Sequence, residues 1–175
     1  MTGNVPMDLE NEQRAVEALI RRAFASVSRE GGTSWSEAEV VDGDASGRTP
    51  EQARAEDTET SWESLVNDPN WHHEVGIGGF NFLDRIGFRY YIAPAMIRCI
   101  QERGGELTSY ALTPSGDFTR EMWSLLSVKQ SNTIARFVRL MIAMHIADGD
   151  RIYGESWSDA YKLHWRQWDV GGFEG

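Results

Sequence analysis

Apolar residues recur at helical spacing in several separate stretches of this chain. Val16, Leu19, Ile20, Ala23, Phe24 and Val27 form one stripe, with Arg14, Glu17, Arg21 and Arg22 off it. That pattern predicts an amphipathic helix over 9–28, opened by Asp8 and stopped before Gly31-Gly32. Ser127-Val128-Lys129-Gln130 reads as a capping box. Behind it, Ile134, Phe137, Val138, Met141, Ile142 and His145 predict a helix over 128–147, closed by Asp148-Gly149-Asp150. Trp157, Ala160, Tyr161, His164, Trp165 and Trp168 predict a last helix over 156–168.

The densest apolar segment runs from Phe80 to Ile100. Phe88, Tyr91, Ile92, Ala95, Met96, Cys99 and Ile100 keep the spacing of one helical face straight through Pro94, which predicts a helix over 85–103 capped by Asp84 and ended by Gly104-Gly105. Proline inside a helix costs about 3 kcal/mol, so the expectation is a kink at Pro94 or two abutting helices. The competing reading is a β-hairpin over 80–92, turning at Asp84-Arg85-Ile86-Gly87. Thr49-Pro50-Glu51-Gln52 opens a polar helix over 50–58, Asp68-Pro69 reads as the start of another over 69–76, and SWSEAEVV holds one or two turns capped by Ser34 or Ser36. Alternation in LTSYALT suggests a short strand.

The expected architecture is mostly α: one domain spanning 1–175, about six helices around a Pro-kinked central helix, with α+β and a small hairpin as the alternative. Residues 1–7 and 170–175 are expected to be disordered. The expected core is Phe24, Phe88, Tyr91, Met96, Phe137, Met141, Trp157 and Trp165.

The stretch FLDRIGFRYYIAPAMIRCI, Phe82 to Ile100, resembles the core motif of a family of small bacterial proteins, the domain of unknown function 6714 family. That pattern reads as an FLD, a spacer, GFRYYLPA and an apolar helix; Pro94 here stands one position later. The resemblance extends to the early amphipathic helix, the acidic middle and the late helix introduced by Leu-Ser-x-x-Gln. It implies a shared fold and carries no activity.

Charge adds what periodicity does not. The chain carries −10, and residues 37–74 alone hold eleven acids against Arg48 and Arg54, a balance of −9. This disfavours nucleic acid and anionic membrane surfaces as partners and suits a basic protein. Glu37, Asp42, Asp44 and Glu59 are the candidate interaction residues. A single cysteine, Cys99, allows no internal disulfide. MTGNVPMDLENEQ lacks the basic start and apolar run of a signal peptide, and no segment reaches the ~18–20 apolar residues of a membrane span. A cytoplasmic setting is expected.

Motifs for chemistry are weak. The adjacent histidines of His72-His73-Glu74 diverge on a helix, and His145 with Asp148 is ordinary helix-end spacing, with His164 a distant third donor. Cys99 reads as a small core residue, and no serine sits in a nucleophile elbow. No catalytic residue, metal or cofactor is expected. The leading expectation is a non-enzymatic protein-interaction role, as immunity or antitoxin proteins have. The alternative is a small enzyme or ligand binder with a pocket near the kinked helix, using Arg89, Tyr90 and His145.

Overall fold

The computed structural model describes residues 8–43, 45–74 and 76–171. Residues 1–7 and 172–175 of the segments expected to be disordered lie outside them, as does Asp44; Val170 and Gly171, from the expected 170–175, are described, and the Gly171 carbonyl accepts from Arg139 at 2.6 Å. Among the described residues there are eight α-helices, joined by short 3-10 turns, and no strand. The fold is the mostly α one expected.

Helix α1 (Leu9–Phe24) starts where Asp8 accepts from the Asn11 N–H. It ends four residues before the expected Ser28, for a tertiary reason. The Lys129 ammonium, the Gln130 side-chain amide and the Trp62 indole N–H reach the carbonyls of Arg22, Ala23 and Phe24. Those groups satisfy the helix end in place of a further turn. Two short helices follow, α2 (Trp35–Asp42) and α3 (Pro50–Glu56), each opened by a full capping box, Ser34 with Glu37 and Thr49 with Gln52.

Among the described residues of 69–76 the expected helix does not form. A 3-10 turn lies earlier, at Trp62–Asn67, and the described residues 68–74 and 76–78 are irregular up to a second 3-10 turn at Gly79–Phe82. Arg98 donates to the carbonyls of Asp68 (3.1 Å) and Trp71 (2.6 Å), so those carbonyls find partners outside any helix.

The central element α4 (Arg85–Glu102) is one continuous helix with Pro94 inside it, which rules out the hairpin. Asp84 caps it through the Gly87 N–H at 2.7 Å and also takes the Thr33 N–H at 3.1 Å. Burial extends beyond the single expected face: Tyr90, Ala93, Pro94 and Ile97 are buried too. A helix buried all round is the middle of the core rather than a surface helix, and its uninterrupted packing offsets the cost of the proline.

The expected strand at LTSYALT is instead α5 (Glu106–Ala111), held from outside by Glu74, which accepts from the N–H groups of Leu107 and Thr108. α6 (Asp117–Met122) and a turn at Trp123–Leu125 lead into α7 (Val128–Asp148), opened by the expected Ser127–Gln130 box. The last α-helix, α8 (Arg151–Leu163), starts earlier than Ser156. Gly149 closes α7 in the left-handed region, and Asp150 at once caps α8 through the Tyr153 N–H. Trp165–Trp168 is a 3-10 turn, not a continuation of α8.

α7 packs between α1 and α8, and α4 lies against α1 and the 62–67 turn. All eight expected core residues are at most 1% exposed. Gln130, also buried, ties three elements together by accepting from Arg89 Nε (3.0 Å) and donating to the Ala23 carbonyl (3.1 Å) from the start of α7. No helix among the described residues is long and apolar enough to cross a membrane.

Candidate functional site

The acidic window folds into a compact layer of α2, α3 and the 57–72 segment, laid against the middle of α4. Two rings hold it there. Trp35, the first residue of α2, meets Tyr91 at 5.2 Å between centroids and Trp71 edge-on at the same distance. The Tyr91 hydroxyl then accepts the Trp35 backbone N–H and donates to Glu59. Burial, and Glu59 after it, push the Tyr91 phenol far up, so it remains a neutral donor.

A cleft of about 430 Å³ opens above this aromatic floor. Its walls carry five carboxylates, Glu39, Glu56, Asp57, Glu59 and Asp68, with Trp35, Trp71 and His72 among the other lining residues. Two arginines answer this charge from behind: Arg29 pairs with Glu59 at 3.0 Å, and Arg48 with Glu39 at 3.0 Å and with Glu56. Asp57 accepts from both the N–H and the hydroxyl of Ser36, each at 2.8 Å. The indole N–H groups of Trp35 and Trp71 are buried with no hydrogen-bond partner.

The candidate acids separate by position. Glu59 lines the cleft. Glu37 serves the α2 capping box and pairs with Arg54 at 2.7 Å. Asp42 is exposed and accepts the Gly78 N–H at 2.7 Å. Glu39, Glu56, Asp57 and Asp68, which complete the cleft, were signalled only by the charge of the whole window.

Arg89, Tyr90 and His145 are not brought together. Arg89 binds Gln130 at the start of α7, whereas His145 stands fifteen residues further along that helix, about 22 Å at 1.5 Å per residue. Tyr90 is buried edge-on to Tyr91. His145 borders a separate pocket of about 250 Å³ at the α7–α8 corner, where its Nδ1 faces Asp150 at 3.7 Å. Asp148 is taken by Arg103 in a two-pronged pair, and His164 packs on Trp123, so those donors do not converge on one point.

A larger cleft, about 780 Å³, lies along α7 beside Val170. Its charged groups are engaged within the fold: Arg136 with Glu12 at 2.7 Å and Arg139 with Asp169 at 3.1 Å.

A second cluster joins residues that the sequence kept apart. His73 Nε2 lies 3.7 Å from Cys99 Sγ in α4 and 3.8 Å from Glu74 Oε1. These atoms lie within 4.8 Å of one another, and it is the one such three-donor group among the described residues. Burial pushes the Cys99 thiol far up and lowers His73, against the opposing pull of Glu74 on His73.

A family model described as a family of unknown function, DUF6714, matches residues 12–167. No curated protein and no solved structure matches the chain.

Proposed function

We propose a role for this chain, which belongs to the DUF6714 family, from its acidic cleft: it is a non-enzymatic binding module that accepts a cationic side chain of a basic protein partner. The observation that carries this reading is the imbalance at the cleft. Five carboxylates line it and two arginines, Arg29 and Arg48, pair with them, leaving an excess of three negative charges around one concave surface. Low-dielectric walls focus such a field and raise the local concentration of cations. The Arg98 guanidinium, 5.9 Å from the Trp71 ring centroid, is paired with Glu102, which does not line the cleft, so it leaves that excess unchanged. The same charge turns away nucleic acid and anionic lipid. A reducing bacterial cytoplasm suits a chain with one buried cysteine.

The second reading, a small-ligand site, rests on the unpartnered indole N–H groups of Trp35 and Trp71, which call for an acceptor.

Isothermal titration with an arginine-rich peptide separates the two. The protein-partner reading expects binding that weakens steeply with salt and falls at least about tenfold in the triple variant Glu39→Gln, Glu56→Gln, Asp68→Asn. Glu59 is left intact because it also holds Tyr91. Binding unchanged by the triple variant, or no binding at low salt, rejects the reading.

A further inference from the structure

The cluster of His73, Glu74 and Cys99 has the geometry of a metal site, and we propose that it binds one zinc ion through His73 Nε2, Cys99 Sγ and a Glu74 carboxylate oxygen, with the fourth position open to water. This site is separate from the acidic cleft and does not depend on it.

Distance is the first argument. Zinc bonds of about 2.3 Å to sulfur and about 2.0–2.2 Å to nitrogen or oxygen, at the tetrahedral angle, place sulfur about 3.6 Å from nitrogen and nitrogen about 3.4 Å from oxygen. The corresponding separations are 3.7 Å for Cys99–His73 and 3.8 Å for His73–Glu74. These two pairs stand within a few tenths of an ångström of the tetrahedral values, and Cys99 Sγ and the Glu74 oxygen, within 4.8 Å of one another, draw together as the ion binds.

The donors are also held from behind, as metal ligands are. Glu74 accepts the Leu107 N–H at 2.7 Å, the Thr108 N–H at 3.1 Å and the Thr108 hydroxyl at 2.9 Å. Together these bonds fix the plane of the carboxylate: Oε1 carries both Thr108 bonds, and Oε2, which takes only the Leu107 N–H, keeps an acceptor position for the ion. Trp71 stacks on the His73 ring at 5.7 Å. Gly105 closes over the thiol: a Cβ there would stand 2.5 Å from Cys99 Sγ. Glu74 is the most exposed of the three donors, so entry is from its side.

Charge is the third argument. Binding releases the Cys99 thiol proton to solvent. The thiolate and the Glu74 carboxylate then cancel the dication, with His73 neutral. A neutral assembly is the form that a site this buried tolerates. The mixed sulfur, nitrogen and oxygen set fits zinc rather than magnesium or calcium, which take oxygen donors.

Cobalt(II) is the probe. Wild-type protein, stripped with chelator and confirmed folded by circular dichroism, is titrated with cobalt. The expected result is one equivalent bound, with a thiolate-to-cobalt charge-transfer band in the near ultraviolet, the strong visible absorption of tetrahedral cobalt, and displacement of both by zinc. Cys99→Ser removes the near-ultraviolet band, and Thr108→Val, which removes one of the three hydrogen bonds that fix Glu74, weakens zinc about 10–100-fold. Folded wild-type protein that shows no thiolate band, or a band that survives Cys99→Ser, overturns the proposal. Since the wild-type spectrum alone decides, a variant that misfolds leaves the test intact.

Discussion

The Tyr91 hydroxyl donates to Glu59 at 3.0 Å while accepting the Trp35 N–H at 3.0 Å, so one phenol joins the core helix to the acidic layer. Tyr91→Phe keeps the ring and its packing and removes only this bridge. It leaves a buried N–H unpaired and Glu59 with Arg29 alone. A loss of about 1–3 kcal/mol is expected. Urea unfolding followed by tryptophan fluorescence measures it; a midpoint equal to wild type would mean that the bridge contributes nothing net.

Gly87 tests a conflict of signs. It lies in the first turn of α4, where glycine is normally about 1 kcal/mol worse than alanine. A Cβ at this position, however, would sit 2.4 Å from the Thr33 carbonyl oxygen, a backbone atom that cannot swing aside. Overpacking of this kind costs about 1–3 kcal/mol. Gly87→Ala is therefore expected to destabilise, and a higher thermal midpoint for the variant would show that residues 32–34 yield freely.

The parts of this fold written in local signals were legible in the sequence. Asp8, Ser34, Thr49, Asp84 and Ser127 all cap helices, and the apolar stripes named the core. What escaped was set by groups distant in sequence. α5 is held by Glu74 from more than thirty residues away, so alternation in LTSYALT was a poor guide. The Asp68-Pro69 start signal lost to Arg98, which occupies the carbonyls there. The Asp148-Gly149-Asp150 stop was read once but serves twice, as the end of α7 and the cap of α8. The candidate sites follow the same rule. Total charge located the acidic layer but not which carboxylates face the cleft. Nothing local to His73-Glu74 points to Cys99.

Trp165 anchors the C-terminal end of the fold. It is fully buried, packs at 5.0 Å against Trp123, and donates its indole N–H to the Leu112 carbonyl at 2.7 Å. Trp165→Ala opens a cavity and orphans that carbonyl, with an expected loss of about 3–5 kcal/mol. Leu163, two residues earlier and 66% exposed, is the control: Leu163→Ala is expected to stay within about 0.5 kcal/mol of wild type. Comparable losses in both would mean that this end of the chain is not packed as described.

Acid should weaken the fold in two separable stages. His145 and His164 are both lowered, in each case first by burial, with Asp150 pulling His145 the other way. A histidine kept neutral by the fold contributes stability that is complete above its unfolded pKa of about 6.5. Below that, the unfolded chain takes up the proton first, and the contribution is lost until the folded value is passed. Glu12 is lowered by its hydrogen bonds to Arg136, at 2.7 and 2.8 Å. Its contribution is complete above the ordinary glutamate pKa and is lost only as pH falls through the lower folded one. Unfolding midpoints from pH 8 to pH 3 should thus be flat at the top, sag below about 6.5 and fall again in the carboxylate range. His145→Gln should make the first descent shallower, with His164 still contributing, and leave the second, and Glu12→Gln should make the second shallower and leave the first. A single descent confined to the carboxylate range would mean that these imidazoles are protonated as easily in the folded chain as in the unfolded one.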